Sequence, residues 1–346
     1  MRDIISAIER FTRRISKYAF SIYSSEEGSA RWLTGAMRAS IIVPVLLLAI
    51  VAVRTYLEVA KDVAQRLERT ARIVDEHALK VLETAATVSG RIADEVDRQP
   101  AISFRENEFQ LHEKLIDIAD GMSQIQSVWL WDSDGAAIAS NLFYPVSADN
   151  NIANREYFIA LKRGSSGPIL SGALHGRLSG DNFFSMTRRW ETEDASFNGV
   201  IGVSLSQNYF TDFYRSISGT DNDLAVMLVR EDGEVLLSFP NTSAPNAKLS
   251  PLNPIMRTIQ SADFPGITVQ AGVDGASRMV KVQKVGGYPL YLAVGILQST
   301  VMSQWRDRMA MLTIFIFPAS AALMLLCWTA LKKVRREHAV VAQWRE

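Results

Sequence analysis

The sequence is poor in the residue types that support disulfide, metal or nucleophile chemistry. Its 346 residues include one cysteine, Cys327, and four histidines that lie far apart along the chain. One cysteine cannot form an internal disulfide, so any folded domain must be stabilised by its own hydrophobic core. The HExxH, GxSxG and P-loop patterns are also absent. We therefore expect no catalysis in this chain, no metal site and no cofactor.

The chain also lacks an excess of either charge. It carries 37 basic and 37 acidic residues, so its composition does not indicate binding to DNA or RNA. Asp132, Asp134 and Gly135 could begin a calcium loop, but the longer ligand pattern of such a loop is missing. The Asp-Gly pair is already accounted for by a β-hairpin turn.

What the sequence does contain is two long apolar stretches, at residues 33–53 and 309–331. The second has no charged residue and as a helix would be about 34 Å long, enough to cross a hydrocarbon core of about 30 Å. Arg38 interrupts the first, near one end where its side chain can reach the headgroups. We interpret both as transmembrane helices. A cleaved signal peptide is the alternative for the first, although no clear cleavage site precedes Arg54.

Basic residues flank these stretches unevenly. They are concentrated before the first stretch (Arg2, Arg10, Arg13, Arg14, Lys17, Arg31 and Arg38) and directly after the second (Lys332, Lys333, Arg335 and Arg336). Basic flanks stay in the cytoplasm, so both termini are predicted inside and residues 54–308 outside. Within residues 1–22, apolar residues recur at helical spacing among arginines. This pattern predicts a basic amphipathic helix that lies on membrane lipids or on a partner protein.

The outer region begins with a long helical pattern. Apolar residues recur at helical spacing from Tyr56 to Val96, which predicts one helix of about forty residues that continues out of the membrane. Pro100 ends it, and a second helix is expected from about Glu106 to Met122. Because so long a helix needs a long packing partner, we expect a homodimer.

An internal repeat follows. Val128–Ser140 and Val226–Phe239 each read as strand, Asp-Gly turn and strand, and their residues match at one constant offset. The second hairpins, within Phe183–Leu205 and Arg278–Leu297, correspond as well. Each unit is then an antiparallel sheet of about five strands. The alternative is two unrelated hairpins, since Asp-Gly hairpins are common.

This arrangement resembles the double Cache sensor domains, which have PAS-like modules and occur on bacterial histidine kinases, diguanylate cyclases and chemoreceptors. The resemblance covers residues 54–308 and is most specific at Asn154–Phe158, His175–Trp190 and Phe197–Tyr214. It implies an α+β fold with a long N-terminal helix and two tandem PAS-like antiparallel-sheet modules, flanked by two transmembrane helices. It also implies a bacterial inner membrane location, with ligand binding in the membrane-distal module.

These patterns predict the limits of eight segments along the chain. They are 1–32 for a cytoplasmic basic amphipathic segment, 33–53 for the first transmembrane helix, 54–124 for the stalk helix and second helix, 125–217 for the distal ligand-binding module, 218–298 for the proximal module, 299–308 for a return helix, 309–331 for the second transmembrane helix and 332–346 for the start of a cytoplasmic signalling helix.

The resemblance implies a ligand pocket bounded by the sheet face of the distal module and by the helix and loops inserted between its two hairpins, so candidates should lie in residues 150–205. The candidates there are Arg155, Tyr157, Arg177, Ser185, Arg188, Trp190 and Ser204. Arginine binds carboxylates through a planar fork, although an ordinary solvated or capping role is the alternative for each arginine. Strand alternation puts Ser185 and Arg188 on opposite faces, and the sequence leaves open which face forms the pocket.

Amino-acid sensors of this superfamily carry an Arg-x-Trp-Tyr element and, later, an aspartate for the ligand ammonium. This chain has Asn154-Arg155-Glu156-Tyr157 instead, and Ser204 where that aspartate would fall. A hydroxyl cannot offset the desolvation of an ammonium as a carboxylate can. We therefore predict a small organic anion, or another ligand without a primary amine, bound by Arg155, Tyr157, Arg177 and Arg188.

The function implied is a transmembrane receptor that senses a small extracytoplasmic molecule and relays binding through its second membrane helix. The expected partners are the ligand, membrane lipids, a second copy of the chain and a cytoplasmic output protein. Residues 332–346 encode no kinase or cyclase, so the chain is either part of a larger receptor or a stand-alone sensor. The alternative function is a non-signalling accessory or scaffold subunit of a membrane complex.

Overall fold

The computed structural model describes residues 26–96, 101–147, 149–165, 167–176, 180, 182–192, 194–219, 223–240, 247–261, 263–271 and 275–343. The helices of these residues are α1 (Glu26–Val96), α2 (Ala101–Glu106), α3 (Glu108–Ala119), α4 (Glu156–Lys162), α5 (Gln207–Ser218), α6 (Pro254–Ser261) and α7 (Gln298–Gln343). The strands are β1 (Ile125–Asp132), β2 (Ala137–Ser140), β3 (Ile169–Leu170), β4 (Leu174–His175), β5 (Asn182–Glu191), β6 (Phe197–Ser206), β7 (Leu224–Arg230), β8 (Val235–Phe239), β9 (Thr268–Ala271), β10 (Ser277–Lys284) and β11 (Leu290–Leu297).

Helix α1 contains the long apolar stripe that the sequence predicts. Its buried side chains recur every three or four residues and include Val63, Leu67, Ala71, Val74, Ala78, Val81, Leu82, Ala85, Val88, Ile92 and Val96. Such spacing places them on one face, where tertiary packing stabilises the helix. The second predicted helix corresponds to α3, and the further short helix α2 precedes it. Pro100, which was predicted to end the long helix, and most of the predicted N-terminal amphipathic segment lie outside the described residues.

Two helical stretches are long and apolar enough to cross a membrane, judged by length and composition. They lie within Ile41–Val96 and Gln298–Ala330, and the most apolar window of each has no buried residue. Near the second of them, the indole of Trp305 donates a hydrogen bond to the Ala52 carbonyl oxygen at 3.0 Å. Its ring also lies edge-on to Tyr56. Tryptophan and tyrosine favour membrane interfaces, so this pair is typical of the place where two neighbouring apolar helices reach such an interface.

The two β-sheets have the same topology. The first sheet, labelled the distal sheet after the sequence prediction, has the order β2-β1-β6-β5-β3, with β4 also paired to β5. The second, labelled the proximal sheet in the same way, has the order β8-β7-β11-β10-β9. The pairing of β1 with β2 shifts register directly after Leu130, and that of β7 with β8 shifts directly after Leu228. The predicted tandem antiparallel modules are thereby confirmed. The distal sheet has one more short strand than the five expected.

The equivalent faces of the two sheets are filled differently. In the distal sheet, one row of cross-strand neighbours is Ser127, Ser204 and Ser185, whose backbones pair directly. The equivalent proximal row is Ala225, Gly295 and Val280. The proximal face continues into a hydrophobic core of nine buried residues, Val229, Val235, Leu249, Met256, Ile259, Val280, Val282, Tyr291 and Ala293. The distal face therefore keeps polar groups where the proximal face is packed with hydrocarbon.

A partly buried ion pair joins α1 to the start of the proximal module. Arg66 donates two hydrogen bonds to the carboxylate of Asp223, at 2.9 and 3.0 Å. The Asp223 side chain is 1% exposed. The carbonyl oxygen of Asp223 also accepts from the Leu297 amide, at the end of β11. The pair thus holds α1 beside the last strand before α7.

We expect Arg66→Ala to destabilise the protein, because it leaves a buried carboxylate without its cation. Breaking a buried pair costs about 3–5 kcal/mol, which at about 2–4 °C per kcal/mol corresponds to roughly 6–20 °C in unfolding temperature. Thermal unfolding of the purified full chain, followed by tryptophan fluorescence, measures the change. The control is Arg215→Ala, which removes an ion pair to Asp212 whose two side chains are each 69% exposed. Equal effects of the two variants would contradict the prediction.

His77 of α1 is enclosed by aromatic side chains of α5. Its ring is stacked on Phe213 at a centroid distance of 3.7 Å and also contacts Tyr209, Phe210 and Tyr214. Both imidazole nitrogens are buried and have no hydrogen-bond partner among the described residues. Burial lowers the pKa of His77 to about 4, because the charged imidazolium loses its hydration.

This depressed pKa predicts a loss of stability in acid. An unfolded chain binds the His77 proton below about pH 6.5, whereas the folded chain resists it until about pH 4. His77 therefore supports the folded state above about pH 6.5, and its contribution falls as the pH drops from there to about 4. We expect His77→Phe to flatten this part of the pH dependence of the unfolding temperature. The same acid slope in the variant as in the parent would show that His77 is not responsible.

Candidate functional site

The candidate site is built on three adjacent strands of the distal sheet. The side chains of Ser127 (β1), Ser204 (β6) and Ser185 (β5) form a row on one face, because neighbouring strands in register present equivalent residues to the same side. The hydroxyls of Ser185 and Ser204 are hydrogen bonded at 3.0 Å. All three serines are buried. We call these three residues the serine row. Since serine is small, the serine row leaves space above the sheet.

A cavity of about 260 Å³ lies over the serine row. It is lined by residues of α4, by residues 174–176 of the segment 169–176, which contains β3 and β4, and by the loop that follows β2. The polar part of its lining includes Arg155, His175 and Asn151 besides the serines. The aromatic part consists of Trp129, Trp131, Phe143, Tyr157 and Phe183.

Trp129 and Trp131 form one wall of the cavity. They follow Ser127 at alternate positions of β1, so all three side chains share a face. The two indoles are stacked, with planes 12° apart and centroids 5.7 Å apart. A Cβ on Gly202 would lie only 2.5 Å from Cζ3 of Trp131, so glycine is needed where this ring lies over β6. Trp129 also donates from Nε1 to the Ser127 hydroxyl at 3.1 Å, which fixes the orientation of its ring.

Arg155 supplies the positive charge of the lining. It directly precedes α4, and its amide donates to the Ile152 carbonyl oxygen at 2.9 Å. Its half-buried guanidinium has no hydrogen-bond or ion-pair partner among the described residues. Asp149 is the one carboxylate among the described lining residues, and its side chain is exposed to solvent. The cavity therefore has an unpaired cation and no buried anion, which favours a ligand that carries negative charge.

The structure brings together part of the predicted site set. Arg155, Tyr157, Ser185 and Ser204 all line the cavity. The cavity lies on the face of β5 that carries Phe183 and Ser185, so it lies opposite the face of Arg188.

Two predicted residues lie away from the cavity, because strand alternation turns them to the opposite face of β5. Arg188 is exposed, and its Nη1 would lie 3.8 Å from a Cβ on Gly90 of α1. Trp190 is fully buried and edge-on to Phe104. Arg177 lies outside the described residues.

Sequence reasoning missed the contribution of β1. The two tryptophans lie before the region in which candidates were expected, which began at residue 150. A signal was present in the run from Ser127 to Trp131, where serine and tryptophans alternate with the aliphatic Val128 and Leu130. Such alternation indicates a strand with one face against a core and another face with a different role.

The segment 169–176 connects the cavity to the proximal module. Within the distal sheet, the Ser185 amide donates to the Ser171 hydroxyl at 2.8 Å. Toward the proximal module, the Ala173 amide donates to Oε1 of Glu234 at 3.0 Å. A Cβ on Gly172 would lie 1.9 Å from the same oxygen, so a larger residue there would displace the Glu234 carboxylate. The segment is thus bonded to the serine row on one side and to Glu234 on the other.

Glu234 is held in place by charge. Arg230 donates from Nη2 to Glu234 at 2.6 Å and from Nη1 to the Leu170 carbonyl oxygen at 3.3 Å. Arg230 also binds Asp232, and this hydrogen bond lowers the pKa of Asp232 well below its usual range. Together with Glu234, Arg230 forms a clamp on segment 169–176, which we call the Arg230–Glu234 clamp.

Comparisons with known proteins identify the fold. No protein-family model and no curated protein sequence matches the chain. Among solved structures, the extracellular domain of the histidine kinase rpHK1S-Z16 has 23% identity and a TM-score of 0.61, over 71% of this chain and 99% of that one. The periplasmic sensory domain of the Campylobacter jejuni chemoreceptor Tlp1 has 14% identity and a TM-score of 0.55, over 70% and 98%.

A further similar structure is the ligand-binding domain of Campylobacter jejuni chemoreceptor Tlp3 in complex with L-valine. It has 10% identity and a TM-score of 0.52, over 72% of this chain and 98% of that one. At these identities the similarity establishes the fold. The matched 70–72% of the chain therefore has the double Cache fold found in the extracellular sensor domains of histidine kinases and chemoreceptors.

Proposed function

We propose that this chain is a transmembrane receptor that binds a small organic anion outside the inner membrane and relays binding through α7 to a cytoplasmic partner. The observation that carries the proposal is the unpaired guanidinium of Arg155 beside a cavity in the distal module. The shared fold supports a sensor role, since the similar structures are sensor domains. The topology in which both termini are cytoplasmic rests on the basic flanks of the two spans.

An anion fits the cavity better than a free amino acid. Tlp3 was crystallised with L-valine, a ligand that carries an ammonium group. In this chain the serine row offers hydroxyls and no carboxylate at the floor of the cavity. A buried ammonium there would lose its hydration and find no opposite charge. A carboxylate, in contrast, can accept two parallel hydrogen bonds from the Arg155 guanidinium.

The relay follows a chain of hydrogen bonds from the cavity to the proximal module. It runs from Ser204 to Ser185, then to Ser171 in segment 169–176, and through Ala173 to Glu234. The Arg230–Glu234 clamp lies at the end of β7, which pairs with β11. β11 leads directly into α7, the helix that contains the second predicted span. Binding can drive this relay only if the ligand favours one of two arrangements of the clamp.

A ligand panel on the full chain in lipid nanodiscs tests the binding step. We expect carboxylates to raise the unfolding temperature, and amino acids, amines and purines to leave it unchanged. A ligand at a hundredfold excess over its Kd stabilises by about 2.7 kcal/mol. Stabilisation by amino acids but not by simple carboxylates would contradict the proposal that the ligand is an organic anion. Silence across the panel would favour the accessory or scaffold function instead.

Replacement of Arg155 tests whether this residue binds the negative charge of the ligand. Arg155→Gln removes the cation and keeps a polar side chain, so we expect the affinity for the stabilising carboxylate to fall by about tenfold or more, as for a lost charged hydrogen bond. The matched control is Arg163→Gln, an exposed arginine at the other end of α4. Equal losses in both variants would contradict a role for Arg155 in binding.

Gly172→Ala tests the relay, because a methyl group there displaces Glu234. We expect hydrogen exchange of segment 169–176 and of the β7–β8 turn to become faster, while the affinity for the stabilising carboxylate stays within about threefold, a change of less than 1 kcal/mol. In the parent chain the carboxylate should slow exchange in both segments, and in the variant only near the cavity. Unchanged protection of the β7–β8 turn in the variant would contradict the clamp as the route.

A further inference from the structure

The cavity also limits the shape of its ligand, an inference that rests on the proposed function. We infer that the ligand is an aromatic carboxylate with a single ring, which lies over the serine row between Trp129 and Phe183 and places its carboxylate at Arg155. The shared fold does not by itself require an aromatic ligand, because the walls of the cavity are formed by side chains of this particular sequence.

The register of the sheet places one aromatic residue on each side of the serine row. On one side, Trp129 is paired with Gly202, and on the other, Phe183 is paired with Ser206. Both side chains line the cavity. The row itself has only small residues, so the space above it is a slot with two aromatic sides and a hydroxyl floor.

The Trp129 side of the slot is flat and held in place. Trp131 is stacked behind Trp129, and the Ser127 hydroxyl accepts the Nε1 hydrogen bond of Trp129. Phe143 adds a third ring, 5.9 Å from Trp129. A flat ligand can stack on a fixed ring without ordering it further, and aromatic pairs add about 0.5–1.5 kcal/mol beyond the area that they bury. A puckered aliphatic ring does not gain this stacking.

The positive charge of the lining indicates the polar end of the ligand. Arg155 lines the cavity, and its guanidinium has no hydrogen-bond or ion-pair partner among the described residues. A ligand that brings acceptor oxygens to this end is therefore favoured over one that brings an ammonium.

The size of the cavity sets an upper limit. Its volume of about 260 Å³ is just below the range of about 300–1,000 Å³ in which drug-sized ligands bind. One ring with a carboxylate fits this space.

The test is a set of matched probes against the full chain in nanodiscs, with binding measured by calorimetry and by thermal unfolding. Benzoate, 4-hydroxybenzoate and phenylacetate are the aromatic acids, cyclohexanecarboxylate is the same-sized puckered acid, benzylamine has the opposite charge, and phenylalanine adds an α-ammonium. We expect at least one aromatic acid to bind about tenfold more tightly than cyclohexanecarboxylate, the ratio that about 1.4 kcal/mol of stacking produces. Benzylamine and phenylalanine should not bind.

Two variants separate stacking from general damage. Trp129→Leu should lower the affinity for the aromatic acid by about tenfold and leave that for cyclohexanecarboxylate nearly unchanged, and Phe183→Leu should act in the same direction. The unfolding temperature of each variant without ligand reports whether the variant folds. If Trp129→Leu does not fold, Phe183→Leu serves as the test. Equal losses for both acids would overturn the inference.

The outcomes also separate this inference from the proposed function. Equal or tighter binding of cyclohexanecarboxylate would overturn the aromatic ligand and leave the anion sensor standing. Binding of phenylalanine or benzylamine without the acids would overturn both. Failure of all three aromatic acids to bind, while other carboxylates bind, would overturn the aromatic ligand alone.

Discussion

The packing of α1 along one side of both modules is the constraint on which the arrangement of the outer region depends. At the proximal module, Gln283 of β10 donates to the Ala71 carbonyl oxygen of α1 at 3.4 Å. At the distal module, Arg188 of β5 approaches Gly90 of the same helix. Because α1 takes this side, a ligand cavity can form only against the opposite face of a sheet. Each module must cover that opposite face with its own helix and loops.

The two modules cover that face in different ways, although their topology is the same. In the proximal module, Val280 and Val282 of β10 contribute to a core that is filled with hydrocarbon under α6. In the distal module, Ser185 occupies the position that corresponds to Val280, and the cavity lies above it. The duplication thus supplies one packed module and one open module. This division agrees with the proposed function, in which the open module binds the ligand and the packed module transmits.

The open module is connected to the packed one by a segment that has two roles. Segment 169–176 lines the cavity with Leu174 and His175, and it is bonded to Glu234 through Ala173. An internal clamp of opposite charges is sensitive to small displacements, because its energy depends steeply on distance in a partly buried setting. A ligand that shifts the cavity wall can therefore act on the proximal module without a long-range rearrangement.

The sequence by itself determined the elements and their order. The apolar period of α1, the two Asp-Gly hairpins and the uncharged stretch 309–331 all act locally, so their spacing could be interpreted without the fold. Arg155 and Ser204 were identified from the resemblance. Trp129 was not, because it and Phe183 line the same cavity only after their strands, β1 and β5, pair with opposite sides of β6. Only the tertiary structure decided which face of β5 borders the cavity, since alternation defines two faces and the packing of α1 assigns one of them to the core.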